Sequence, residues 1–212
     1  MHWLAMITML LDHVGLVFFP QELSWRIVGR IAFPIYAYLL YLGYRHTRSP
    51  SGYMRRLLWI AVISQVPYTA GLGIYAPNVV FTLLFSLLVL YALPKLKHWS
   101  AQMIFVLISG LIMEWLRMDY GMYGLLLVLI YRYLPGYTLI AGHLGLNVLY
   151  AGTVGSWLQH FSLLSTVLIA CFQQTPSVFR LQAPRWLWRS FYPLHLSIIA
   201  LIRWTAEGTA PY

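Results

Sequence analysis

One pattern runs along the chain from end to end: an apolar stretch of about 15 to 20 residues, a short break of turn-forming or basic residues, then another apolar stretch. A helix that crosses a bilayer needs about 20 mainly apolar residues, with roughly 17 to 25 as the working range. The pattern therefore predicts an all-α, polytopic helical membrane protein rather than a soluble core. Composition agrees: 60% of the 212 residues are hydrophobic and 9% are charged, against roughly 25% charged in an ordinary soluble domain. Nine tryptophans and sixteen tyrosines suit the aromatic belts at membrane interfaces. In this setting the net charge of +9 marks cytoplasmic loops and argues against a nucleic-acid partner.

The segments fall near residues 2–19, 25–44, 55–71, 78–94, 100–116, 120–134, 137–153, 156–172 and 188–205. Together they give about nine transmembrane helices in one membrane-embedded domain, residues 1–212, surrounded by membrane lipids. The breaks carry turn chemistry at Pro20, SPSG (49–52), GLGIYAPN (71–78), Pro94, LPG (134–136), Pro176 and Pro184. The first segment lacks the basic start and small-residue cleavage site of a secretory signal, so it reads as a retained helix. Cys171 is the only cysteine, which excludes an internal disulfide and a CxxC metal or redox site.

With the N-terminus cytoplasmic, the inner loops hold Arg45, Arg48, Arg55, Arg56, Lys95, Lys97, Arg132, Arg180, Arg185 and Arg189, which satisfies the positive-inside rule. Arg26, Arg30, Arg117 and Arg203 fall near outer ends. Four of the five acids, Asp12, Glu22, Glu114 and Asp119, then gather with His13, Asn78 and Thr82 at or beyond the midplane toward the outer face. This predicts a polar cavity open to that side.

Intramembrane ionisable groups cost at least about 2.5 to 3.5 kcal/mol on insertion scales and so need a partner, a cavity or a function. Asp12 and His13 lie within the first apolar run, LLDHVGLVFFP. A carboxylate can raise the basicity of an imidazole, although neighbouring helical residues point about 100° apart. The structural alternative is an Asp12 to Arg30 ion pair that fixes helix packing. In SWRIVGRIAFPIYAYLL, Glu22, Arg26 and Arg30 are spaced by four, and Pro34 is placed to kink the helix. Arg26 reads as an interfacial arginine, and Arg30, one turn deeper, as a candidate organiser of a site.

Asn78 and Thr82 share a face and can donate to a reacting carbonyl, while Asn78 after Pro77 is also a natural helix cap. Asp119 in DYG is likewise either a cap or a site residue, with Tyr120 beside it. His143 and Asn147 read as hydrogen-bonding residues between helices, and Gly142, Gly145, Gly152 and Gly155 as points of close packing. Tyr192 and His195 in FYPLHLSII are neighbours at i and i+3, nearer the inner side. HExxH, GxSxG, Walker and GxGxxG motifs are absent, which leaves zinc peptidase, serine hydrolase and nucleotide-binding classes without support.

Taken together, LLDHVGLVFF, VGRIAFPIYAYLL, the HTR that follows, ISQVPY, NVVFTL, DYGMYGLLLV and the late FYPLHL resemble, in order, the TraX family of integral membrane proteins. That family is associated with conjugative plasmids and N-terminal acetylation of pilin. The resemblance implies a multi-pass enzyme of the bacterial inner membrane that transfers an acetyl group from acetyl-CoA to the α-amine of pilin, with no metal. On the matched positions, Asp12 and His13 would form the base and Arg30 would organise the site. Arg26, Asn78, Thr82, Asp119, Tyr120, Tyr192 and His195 would contact substrate, and the loop from 44 to 56, with Arg45, His46 and Arg48 foremost and Arg55 and Arg56 at its end, is the candidate for coenzyme phosphates. Two other readings stay open: head-to-tail cyclisation of pilin through the same amine, and a small proton-coupled transporter that uses Asp12, His13, Glu114 and Asp119 as a relay.

Overall fold

The computed structural model describes residues 1–174 and 183–207, and its regular elements are all helical. They are α1 (His2–Phe18), α2 (Leu23–Gly29), α3 (Ala32–His46), α4 (Pro50–Leu72), α5 (Val79–Ala92), α6 (Trp99–Trp115), α7 (Gly121–Tyr133), α8 (Thr138–Val154), α9 (Leu163–Gln174) and α10 (Arg185–Glu207), with 3-10 turns at Leu93–Lys95 and Trp157–Ser162. Each apolar segment of the sequence coincides with helix, and the second and eighth are divided. Pro176 and Arg180 lie outside the described residues. By length and composition, one stretch, Leu23–His46, is long and apolar enough to cross a membrane, and six apolar helices of 10–17 residues accompany it. Helices α4 and α10 have 23 residues each but are more polar.

The division of the second segment has a covalent cause. Pro34 has no N–H to donate to the carbonyl of Arg30, and its ring crowds that carbonyl. The helix stops at Gly29 and restarts at Ala32, with turn conformation at Arg30 and Ile31. Beside the break, the Ile31 carbonyl accepts a hydrogen bond from Ser165 Oγ of α9 at 2.8 Å. Arg30 thus sits on a joint between two helices rather than along one stripe with Arg26. Glu22 is the residue before α2 and does not share its face.

Two glycines bring α2 hard against α1. A Cβ on Gly15 would overlap the Trp25 side chain, and one on Gly29 would overlap the carboxylate of Asp12. At the other side of α1, helix α10 packs along α4, where Gly71 lies against the backbone of Leu196 and Ala200. The centre of the bundle is apolar, with Phe33, Leu87, Leu90, Leu127 and Leu196 buried.

Buried hydrogen bonds tie α7, α8 and α9 together. Tyr123 Oη meets His143 Nε2 at 2.8 Å and donates to Asn147 Oδ1 at 2.9 Å, while Tyr131 Oη meets Thr166 Oγ1 at 2.7 Å. His143 and Asn147 therefore join helices, as their positions predict. Close packing at the nearby glycines is confined to Gly142, which lies against Leu134; no atom lies within 4 Å of a Cβ built on Gly145, Gly152 or Gly155. Gly155 instead ends α8 in the left-handed conformation, φ 73°.

Candidate functional site

His13 follows α1 for eleven residues from His2, and His195 follows α10 for ten from Arg185, so each lies about 15 to 16 Å along its helix from the same end of the bundle. The structure brings them into contact: His13 Nδ1 lies 2.8 Å from His195 Nε2, with the rings stacked at 5.0 Å. The sequence placed His195 nearer the inner side than His13; equal depth corrects that.

The hydrogen-bond chain fixes the tautomers of the uncharged pair. His195 Nδ1 lies 2.7 Å from the Phe191 carbonyl, which can only accept, so Nδ1 carries the proton and His195 Nε2 is the acceptor. His13 must then donate through Nδ1, and its Nε2 keeps the lone pair. Among the described residues nothing hydrogen-bonds to that nitrogen. Such an imidazole, held through Nδ1, leaves its other ring nitrogen free to accept a hydrogen bond or a proton.

Asp12 is not that partner. Its carboxylate accepts from Arg26 Nη1 at 2.9 Å, in a pair whose side chains are 16% and 25% exposed. The 100° step along α1 turns Asp12 toward α2 while His13 faces α10. The ion pair also goes to Arg26 rather than Arg30, because Arg26 lies one turn before Gly29, where the two helices touch.

Arg30 instead donates to Tyr120 Oη at 3.4 Å and to Gln159 Oε1 at 3.3 Å. No carboxylate of the described residues pairs with it, and Arg30 Nε and Gln159 Nε2 are buried donors without an acceptor. Tyr120 is held by stacking on Phe33 at 3.9 Å and adopts the left-handed conformation, φ 64°. Beside it, burial pushes the Asp119 carboxyl up to about 6, against the pull of Arg30. The cap role expected of Asp119 is filled by Glu114, whose Oε1 accepts from Met122 N at 2.7 Å.

Asn78 and Thr82 are structural. Asn78 Oδ1 caps α5 by accepting from Val80 N at 3.0 Å, and its amide donates to Ala61 O and Gln65 Oε1, each at 2.9 Å. Thr82 Oγ1 donates to the Asp119 carbonyl at 2.5 Å, which fixes the turn before α7. With their donors engaged, neither side chain is available to a reacting carbonyl.

A cavity of about 540 Å³ opens among α1, α3, α4, α5 and α10. Its mouth carries His2, His46, Arg56, Arg185 and Arg189; its shaft is apolar; and Tyr36 and Tyr192 stand at its inner end. Tyr192 also packs edge-on against His13 and His195, at 6.2 and 5.5 Å, so it forms a wall shared by the cavity and the histidine pair. Of the residues expected to meet coenzyme phosphates, His46 lines this cavity and Arg45 and Arg48 do not. Arg45 follows Tyr44 around the helix to another face, and Arg48 lies in the exposed turn before α4.

Sequence reasoning missed Gln159, Tyr36 and the pair Arg185 and Arg189, whereas Arg56 belongs to the loop expected to meet phosphates and does line the cavity. The only available signal was the spacing of Arg185 and Arg189, which puts both on one helical face. The contact between His13 and His195 spans 182 positions and has no local signature.

The chain is similar to the "Probable fimbrial assembly protein FimC, serogroup H1" of Dichelobacter nodosus, with 32% identity over 144 residues. That match covers 60% of this chain and spans 58% of the relative's length. No solved structure matches. The family model described as TraX protein matches residues 1–203, and with histidines, arginines and cavity all inside that range, the chain belongs to the TraX family.

Proposed function

We propose that this protein is a multi-pass enzyme of the bacterial inner membrane that takes part in pilus biogenesis by acylating the α-amine of pilin, with acetyl-CoA as donor. The observation that carries the reading is the oriented pair, His13 Nε2 free and His13 Nδ1 held by His195, behind the Tyr192 wall of a cavity with a cationic mouth. The family and the printed name of the fimbrial relative supply the pilin context. The run of apolar helices supports the membrane setting.

An α-amine has a pKa near 7.7 to 8.0, so at neutral pH much of it lacks a free lone pair. In the proposed reaction His13 Nε2 accepts the proton released as nitrogen attacks the thioester carbonyl. The C–N bond forms, the C–S bond breaks, and the proton passes from His13 to the leaving sulfur. His195 accepts the Nδ1 hydrogen bond throughout, which keeps the basic nitrogen aimed and stabilises the imidazolium. Arg30 Nε and Gln159 Nε2, donors in need of acceptors, are placed to hold carbonyls of the pilin chain. The Asp12–Arg26 pair holds α2, and with it the Arg30 joint, against α1.

The test is the intact mass of the cognate pilin from cells that carry wild-type protein, His13→Gln, or none. A gain of one acetyl group that requires His13 supports the reading. Loss of one water with a blocked N-terminus indicates ring closure instead. An unchanged pilin refutes both and leaves proton-coupled transport.

A further inference from the structure

The mouth of the cavity concentrates positive charge, and among the described residues no carboxylate pairs with it. Arg185 and Arg189 are one turn apart on α10, Arg56 faces them from α4, and none of the lining residues is acidic. Among the described residues none of the three arginines has an ion-pair partner. Of the acids with described side chains, Asp12 is taken by Arg26 and Glu114 Oε1 accepts from Met122 N, and none lines the mouth. Three exposed guanidinium groups at one mouth, each a planar fork of donors, suit the multiply accepting oxygens of a phosphate.

The inner end asks for a different group. Tyr36 Oη and Tyr192 Oη are buried in an otherwise apolar shaft, and neither hydroxyl has an acceptor for its proton; Tyr192 is 5% exposed. Buried hydroxyls normally donate to an acceptor, so each is a donor available to a ligand carbonyl. Tyr192 lies about 10 Å along α10 from Arg185, and Tyr36 about 15 Å along α3 from His46. Anionic head, slender arm and carbonyl tip therefore follow one another over that distance.

We propose that this cavity is the acyl donor's site and takes a thioester on a phosphate-headed carrier, with Arg56, Arg185 and Arg189 on the phosphate and Tyr192 donating to the acyl carbonyl beside His13. The proposal rests on the acyl-transfer reading and deepens it by assigning the donor's residues. Delivery of the carbonyl to Tyr192 puts the electrophile next to the histidine pair, and the Tyr192 hydroxyl stabilises the charge that develops on the carbonyl oxygen.

Two measurements test it on the full chain purified in detergent. The first is calorimetric titration with coenzyme A, for wild type, Arg56→Gln/Arg189→Gln and Tyr192→Phe, each checked for unchanged melting. The second repeats the titration in nanodiscs with and without phosphatidylglycerol, because a lipid phosphate has the same head chemistry. Saturable coenzyme A binding that the double arginine variant weakens by at least about tenfold, and that phosphatidylglycerol leaves within a few-fold, supports the site. Tyr192→Phe should keep coenzyme A binding within about twofold while pilin acetylation slows by about 100-fold. Coenzyme A binding that ignores the arginines, or cavity occupancy by phosphatidylglycerol alone, overturns it. If coenzyme A binds through the arginines but pilin never gains an acetyl group, the acyl-transfer reading fails while the phosphate site stands; if pilin is acetylated equally by the arginine variant, the site fails while the reading stands.

Discussion

Gly29→Ala sets two opposed effects against each other. Gly29 lies inside α2 with helical backbone, so by helix propensity alone alanine should stabilise the protein by about 1 kcal/mol. Against that, the new methyl group would overlap the Asp12 side chain across the α1–α2 contact. Overpacking of this kind costs about 1 to 3 kcal/mol, more when the neighbour cannot turn away. Asp12 cannot turn away freely, because its carboxylate is held by Arg26 at 2.9 Å, with side chains 16% and 25% exposed. A pair at that exposure is worth more than the roughly 0 to 1 kcal/mol of a surface bridge and less than the 3 to 5 kcal/mol lost when a dry pair is broken. The net expectation is destabilisation by about 1 to 3 kcal/mol, measured by chemical or thermal unfolding in detergent. In the Asp12→Ala background the same change should cost less, because the carboxylate is gone and only the Cβ at position 12 is left to give way, with a coupling of about 0.5 kcal/mol or more. A Gly29→Ala protein as stable as wild type, or additive with Asp12→Ala, would refute the close contact and with it the placement of the Arg30 joint.

The remaining expectations concern the histidine pair, the α5 cap and Asp119. His13→Gln should lower acetyl transfer by about 10² to 10⁴-fold, and His195→Ala, which removes only the acceptor that orients His13, by about 10 to 100-fold with a displaced pH–rate profile, both read from pilin mass kinetics. Asn78→Ala should destabilise by about 2 to 4 kcal/mol in an unfolding titration, since it removes the cap on Val80 and strands the Ala61 and Gln65 acceptors. For Asp119, a folded-state value near 6 against 3.8 means that the native protein binds the extra proton. Stability from this group is therefore greatest at low pH and falls as pH rises from about 4 to about 6; Asp119→Asn should flatten that slope in melting curves.

The helices were legible because their cause is local. Apolar runs bounded by proline, glycine and basic residues need no knowledge of neighbours, and nine of them match helix in the structure. Pro34 announced a break one turn upstream for the same reason, and the cap role of Asn78 follows from its place after Pro77 at the start of α5. His13 and Arg30 stood out in the sequence because ionisable groups in apolar surroundings are costly wherever they point.

Pairing was not legible, because it depends on which faces meet. Adjacency in the sequence suggested Asp12 for His13, yet the 100° turn per residue sends Asp12 to α2 and His13 to α10, where His195 waits from 182 positions away. The same holds for Gln159 beside Arg30 and for Arg56 beside Arg185 and Arg189: loop arginines look alike in a sequence, and only the packing of α4 against α10 and α1 decides which of them line the cavity. Local residue patterns thus suffice to establish a series of apolar helices with a few costly polar groups. The tertiary structure alone decided which of those groups touch, because side-chain direction around a helix and the contacts between distant helices are set by packing.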